Sequence, residues 1–260
     1  MSRAIAAPGT LAGVLLAESA SEVRKALRIP AFIIPVLVFP AMFYVMFGLL
    51  IGGSSVLSGL AMPAYLLASY GTFGVVGAAL FGMGVGVAAE RGQGWLLVKR
   101  ATPMPPLAYF GGKVVMSTAL GGAIALLLAV LGATLGGVRL APGSWALLLL
   151  VLTVGGAPFC ALGCALGYIA GPNSAPPLAN LIYLPMSLAS GLWIPIEFMP
   201  AFVRDIAPFM PPYHLARLAL ATIGGTPVAL EHVVALVLFT ILFLALAVVA
   251  YRRDDGRTWG

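Results

Sequence analysis

A long stretch without charge limits what this chain can fold into. No Asp, Glu, Lys or Arg occurs from residue 29 to residue 89, a run of 61 positions, whereas about a quarter of the residues in water-soluble domains are charged. A helix needs about 20 apolar residues to cross a bilayer. The run is long enough for two crossings and the turn between them, and it predicts an integral membrane protein.

The composition of the whole chain predicts that its membrane segments are helices. The chain has 260 residues, of which 61% are hydrophobic and 8% charged. Only helices and closed barrels satisfy every backbone polar group in lipid, and barrel strands alternate between apolar and polar residues. The apolar runs here do not alternate. We therefore expect an all-α membrane protein, without a cleaved signal peptide because Pro8-Gly9 interrupts the N-terminal apolar run.

Six transmembrane helices are predicted, separated by turns rich in Gly, Pro and Ser. Their expected bounds are 31–51, 63–89, 114–136, 145–170, 178–194 and 233–251. Three GxxxG motifs, at 82–86, 132–136 and 163–167, permit close approach of helices. The whole chain is expected to form a single domain, 1–260.

Two segments are neither spans nor simple turns. Residues 11–29 predict an amphipathic helix on the inner membrane surface, with Leu16, Ala20, Val23 and Leu27 on its apolar face. The alternative is a simple anchor for the first span. Residues 195–212 are apolar and rich in proline, and they predict short helices that re-enter the outer leaflet and cap an interior space.

The distribution of Lys and Arg predicts the orientation. With six spans, 11 of the 14 basic residues lie on the side of the two termini. The positive-inside rule therefore places both termini in the cytoplasm. The net charge of +6 is explained by loops that face an anionic leaflet, so no nucleic-acid partner is expected.

The motifs for several kinds of chemistry are missing. The one Gly-Lys pair, Gly112-Lys113, lacks the rest of a phosphate-binding loop, and no HExxH occurs. The predicted spans contain no charged residue, which argues against an ion-coupled transporter. We expect no catalytic residue, metal or cofactor in the chain, and an energy source in another subunit.

Two groups of residues admit a functional site as an alternative to simple packing. Cys160 and Cys164 lie four residues apart, on one helix face, and could bind a soft metal, although buried thiols commonly serve only packing. Ser190 near the outer end of the fifth span could pair with His232 in an intramembrane serine hydrolase. Packing is favoured for both the cysteines and the serine.

The loop between the second and third spans is the richest in recognisable pattern. Residues 93–100 predict a short amphipathic helix, in which Trp95 and Leu96 form an apolar face and Lys99 and Arg100 carry charge. The prolines that follow stiffen the chain. Such a segment could transmit force from a cytoplasmic partner; the alternative is a solvated basic loop.

This loop resembles the first cytoplasmic loop of ABC-2 type permeases, the membrane subunits of bacterial ABC exporters. The resemblance rests on Glu90, Arg91, Gly94, Leu96, Lys99, Arg100, Thr102, Pro103, Pro106, Tyr109, Gly112 and Lys113. Residues 24–48 are similar to the family's entry into the first span. Residues 190–213 are similar to the segment after its fifth span.

The resemblance implies the fold of ABCG-type exporters, with six helices in each permease and two permeases, identical or paralogous, forming a dimer in the bacterial inner membrane. A separate ATPase subunit would bind ATP and Mg. Segment 11–29 would be the connecting helix, with Glu22, Arg24, Lys25 and Arg28. Segment 93–100 would be the coupling helix, and the residues implied to couple to the ATPase are Glu90, Arg91, Gly94, Trp95, Leu96, Lys99, Arg100, Thr102 and Pro103.

The resemblance also implies a translocation path along spans one, two and five. Its candidate residues are Phe43, Phe47, Tyr70, Phe73, Tyr183, Met186 and Trp193, and those of an outer gate are Pro195, Glu197, Pro200, Pro212 and Tyr213. The charge-free spans favour an amphipathic or lipid-like cargo, as in multidrug efflux. A polysaccharide or glycolipid cargo, and a scaffold that transports nothing, are the alternatives.

Overall fold

The computed structural model describes residues 10–53, 55–96, 101, 104–224 and 228–254. Its helices are α1 (Leu11–Leu27), α2 (Pro30–Phe43), α3 (Met62–Gly92), α4 (Pro106–Thr134), α5 (Pro142–Val154), α6 (Ala157–Ile169), α7 (Ala175–Ala189), α8 (Ala201–Ile206), α9 (Pro211–Gly224) and α10 (Leu230–Arg253). Strands β1 (Val56–Leu57) and β2 (Leu60–Ala61) form a small antiparallel hairpin before α3.

The all-α membrane fold is confirmed. Within the described residues, five helical stretches are long and apolar enough to cross a bilayer: Pro30–Ile51, Met62–Gly92, Pro106–Thr134, Pro142–Ile169 and Leu230–Arg253. The predicted span 178–194 corresponds to α7, whose 15 residues are only about 22 Å long. Gly191, with φ +74°, ends this helix early. The count of six spans therefore remains a prediction.

Helix α3 lies at the centre of the fold and packs against α2, α4, α6, α7 and α9. Its closest neighbour is α6, because glycines let the two backbones touch. A Cβ atom added at Gly163 would lie 2.9 Å from the Leu80 carbonyl oxygen and 3.1 Å from the Gly84 nitrogen. The predicted motif at 163–167 thus lies at a helix contact.

The first span is irregular. Pro35 and Pro40 lie inside α2, and each removes a backbone donor from the helix. From Tyr44 to Ile51 the chain continues as a π-helix, in which Gly52 N donates to Phe47 O at 2.9 Å. The long helix predicted for 145–170 is also interrupted, since α5 ends at Val154 and α6 begins at Ala157 after two glycines.

Helix α1 turns its polar side inward. Ser19, Glu22 and Ala26 are buried against α4, whereas Leu16 and Leu27 of the predicted apolar face are exposed. An apolar face that no other part of the described chain covers is what a helix on a membrane surface requires. The burial of Glu22 was not anticipated, and it depends on a lysine in α4.

Candidate functional site

The first group of interest is an ion-pair network where α1, α3 and α4 meet. Lys113 Nζ lies 3.0 Å from Glu22 Oε2 and 3.1 Å from Glu90 Oε1. Lys25 pairs with both glutamates, and the Tyr109 hydroxyl donates to Glu90 Oε2 at 2.8 Å. Two lysines thus balance two glutamates, and the network ties the predicted connecting helix to one end of α3 and one end of α4.

The helix that carries Lys113 begins earlier than the sequence predicts. No charge was expected inside a span, and the third span was expected to begin at residue 114. Helix α4 begins at Pro106 instead, so Lys113 lies within it, with 1% of its surface exposed. A buried lysine is tolerated here because the two carboxylates neutralise it.

Lys25 is the most accessible member of the network. Burial by itself would lower the pKa of Lys25, but hydrogen bonds to Glu22 and Glu90 and their negative charges outweigh it, so the pKa lies above its ordinary value. Lys25 therefore stays charged at neutral pH. Two arginines on the same helix are exposed. Arg24 donates from Nε to the Ala20 carbonyl, and Arg28 lies at the end of α1.

Arg91 makes a second set of buried contacts. Its guanidinium donates to the Gly167 carbonyl at 2.6 Å and to Asp254 Oδ1 at 2.7 Å, and it lies 5.2 Å from the Tyr168 ring centroid. These bonds join the ends of α3, α6 and α10. Glu90 and Arg91 were assigned to ATPase coupling, and the structure places both in contacts within the chain; their role in coupling stays a prediction.

The predicted coupling helix is only partly described. Its expected start at Gln93 is wrong, because Gln93 caps α3 and Gly94 adopts a left-handed φ of +73°. Trp95 and Leu96 are helical; Leu96 is buried, whereas 55% of Trp95 is exposed. Lys99, Arg100, Thr102 and Pro103 lie outside the described residues.

A cleft of about 430 Å³ lies between α2, α3 and α7. Phe43, Phe73, Tyr183 and Trp193 of the predicted path line it. The Phe43 ring stacks on Trp193 at 6.1 Å between centroids, and Phe73 stacks on Tyr183 at 4.7 Å. The predicted path residues from spans one, two and five therefore meet in one aromatic cluster.

The remaining path residues support this cluster from behind. Phe47 and Tyr70 stack at 6.5 Å between centroids, the Tyr70 hydroxyl donates to the Trp193 carbonyl at 3.0 Å, and Met186 packs against the core. Sequence reasoning missed Phe39, Phe81 and Asn180, which also line the cleft. Two of them are aromatic, so the aromatic residues along α2 and α3 could have indicated that Phe39 and Phe81 line the cleft.

The predicted outer gate folds into short helices, Ile196–Phe198, α8, Ala207–Phe209 and α9, each with a proline at or next to its start. Glu197 fastens this segment, because it accepts hydrogen bonds from Tyr65 at 2.9 Å and from Ser58 of the hairpin at 3.1 Å. Pro195 and Pro212 are buried, Pro200 is exposed, and the Tyr213 ring packs edge-on against His214.

The structure gives no support to the two alternative sites. The Ser190 hydroxyl donates to the Met186 carbonyl at 2.7 Å, and His232 Nδ1 lies 3.0 Å from His214 Nδ1, so the described contacts pair serine with neither histidine. Cys160 and Cys164 are buried free thiols. Among the described residues, no group of three or more His, Cys, Asp and Glu side chains could hold a metal ion.

Comparison with known proteins places the chain in a family. The model of the ABC-2 type transporter family matches residues 15–224. A curated relative, "Putative transport permease YvfS" of Bacillus subtilis (strain 168), is 27% identical over 243 residues, which cover 94% of this chain and 99% of the relative. The family match takes in most of α1, the ion-pair network, the cleft and the predicted outer gate. The chain therefore belongs to the ABC-2 type transporter family, whose members are the membrane permease subunits of ABC transporters.

Proposed function

We propose that this permease exports an amphipathic or lipid-like compound, and that it is driven by ATP and Mg bound to a separate ABC ATPase subunit. Family membership implies the ATPase partner. The proposal has five further parts: the direction of transport is export, the cargo is of this class, the permease pairs with a second permease, each permease has six spans, and it lies in the inner membrane with cytoplasmic termini.

The aromatic cleft is the observation that carries this proposal. Its wall is formed mainly by aromatic and aliphatic side chains, which suit an apolar body. One polar group of the wall is exposed, the side-chain amide of Asn180. An apolar compound with one hydrogen-bond acceptor fits such a wall better than a polysaccharide does.

The contacts at the cytoplasmic end support a route for force. Trp95 lies five residues after Glu90 of the ion-pair network and presents an exposed ring, and the network joins α1 to α3 and α4. A push on the segment around Trp95 would therefore reach α3, which forms one side of the cleft. We propose that closure of the ATPase subunits moves the cleft from inward-facing to outward-facing by this route.

The test is to purify the chain with its ATPase subunit, reconstitute both in liposomes and measure ATP turnover with a panel of amphipathic drugs. We expect at least one compound to stimulate turnover and Trp95→Glu to prevent association of the ATPase. Val56→Glu is the control, since Val56 is also an exposed apolar residue and lies in the hairpin.

Three results would refute the proposal. The first is ATPase association that survives Trp95→Glu, the second is ATP hydrolysis by the isolated chain, and the third is labelling of Lys99 by an impermeant reagent added outside intact cells. If no amphipathic compound stimulates ATP turnover but a polysaccharide precursor does, the cargo is a polysaccharide or glycolipid.

A further inference from the structure

A second groove, separate from the aromatic cleft, lies between α4, α6 and α10 and has a volume of about 360 Å³. Its wall is apolar and includes Phe110, Val114, Ala161 and Leu244. The hydroxyl of Thr240, which also lines it, donates to the Leu236 carbonyl at 2.7 Å. The wall therefore suits a hydrocarbon chain rather than a polar ligand.

The length of the groove matches one leaflet of a bilayer. On α10 it extends from Thr240 to Tyr251, 12 residues whose 11 steps of about 1.5 Å span about 16 Å. The hydrocarbon core of a bilayer is about 30 Å thick. The groove thus runs along about half the membrane, from the middle to one surface.

A basic side chain continues the groove at that surface. Thr240, Leu244 and Val248 line it at intervals of four residues, and the next position of this helical row is Arg252, which is exposed. Arg253, also exposed, belongs to the neighbouring row with Val249. In the proposed orientation this end of α10 faces the cytoplasm, where the leaflet carries anionic lipids.

We propose that this groove is a binding site for an anionic phospholipid of the inner leaflet, with an acyl chain along α10 and the headgroup phosphate at Arg252. The choice of leaflet rests on the proposed function, because it uses the proposed orientation. The apolar wall supplies the site for the chain, and the charge of Arg252 selects the headgroup.

The test is native mass spectrometry of the detergent-solubilised full chain, titrated with phosphatidylglycerol or phosphatidylcholine carrying the same acyl chains. Val248→Trp fills the groove and is matched by Val249→Trp, an equally exposed valine outside it. Arg252→Gln removes the proposed headgroup contact and is matched by Arg253→Gln.

We expect the native chain to retain phosphatidylglycerol more tightly than phosphatidylcholine. Arg252→Gln should weaken phosphatidylglycerol binding about fivefold, the loss expected for one basic residue at an anionic surface, and weaken phosphatidylcholine binding less, because the choline ammonium offsets the charge of its phosphate. Val248→Trp should weaken binding of both lipids. Each matched control should stay within about twofold of the native chain, which separates the groove from general attraction by the helix end.

Equal effects within either matched pair would overturn the proposal, as would equal retention of the two lipids. A disulfide-linked dimer formed by Val248→Cys in a chain lacking Cys160 and Cys164 would assign the groove to a second copy and also overturn it. The measurement uses no ATPase subunit or nucleotide. Its failure would leave the proposed transport function standing, whereas ATPase association that survives Trp95→Glu would refute that function and leave the lipid result untouched.

Discussion

Replacement of Lys113 by methionine should destabilise the fold strongly, because it removes one partner from a buried ion network. The Lys113 ammonium lies 3.0 Å from Glu22 and 3.1 Å from Glu90. At an effective dielectric constant of 20, each contact is an attraction of about 5 kcal/mol, most of which offsets the cost of removing the ions from water. Without Lys113 that cost remains for Glu22, and we expect a loss of about 3–5 kcal/mol in the free energy of unfolding.

The assay is denaturant unfolding of the detergent-solubilised chain, followed by far-UV circular dichroism. Lys25→Met is the matched control: Lys25 pairs with the same glutamates, but 45% of its side chain is exposed, so we expect a loss of only about 0–1 kcal/mol. The double variant Glu22→Gln/Lys113→Met should cost less than the sum of the two single variants by about 1–3 kcal/mol.

Two results would refute this reasoning. If Lys113→Met unfolds within about 1 kcal/mol of the native chain, the lysine is not held as a buried cation. If the two single changes add without coupling, Glu22 is not its energetic partner, and α1 is attached to α4 by packing alone.

Three further changes test other contacts. Gly163→Ala should destabilise the chain by about 1–3 kcal/mol through overpacking of α3 against α6, measured by the same unfolding assay, while Gly143→Ala, with open space around it, should not. Arg91→Gln should lower the free energy of unfolding by about 3 kcal/mol, because it leaves Asp254 without its guanidinium partner, and increase protease cleavage near the end of α10. Phe43→Ala should raise the drug concentration for half-maximal ATPase stimulation by about tenfold through loss of a ring in the cleft, while Phe202→Ala, exposed in α8, should leave it unchanged.

Each of these changes has a result that contradicts it. A native-like stability for Gly163→Ala would mean that the two helices separate at little cost. Protease resistance in Arg91→Gln would show that α10 is held by apolar contacts. An unchanged drug response in Phe43→Ala would place the cargo outside the cleft.

Patterns spread over many residues predicted the fold class well. The charge-free run from 29 to 89 identified helices α2 and α3, and spacing of apolar residues identified α1. Bounds that depend on single positions were less predictable. The predicted span 178–194 missed the left-handed Gly191 that ends α7, because glycine is also common inside membrane helices.

Aromatic side chains of the cleft were predictable because the resemblance named the spans that surround it. The ion-pair network was not predictable, because its members lie far apart in sequence. In the sequence alone, Glu22, Glu90 and Lys113 have the pattern of loop or surface charges, and only the packing of α1 on α4 brings them together. Lys113 was part of the recognised loop pattern, yet nothing in that pattern indicates that its side chain is buried.

The backbone contact between Gly84 and Gly163 has a consequence for movement. Helices that touch without side chains between them cannot rotate freely against each other, because Leu162 and Cys164, which flank Gly163, carry side chains that would collide with the backbone of α3. We therefore expect α3 and α6 to move as one rigid unit throughout the transport cycle. The movements of the transport cycle are then expected in the proline-broken α2 and the short α7, which tilt relative to α3 and α6.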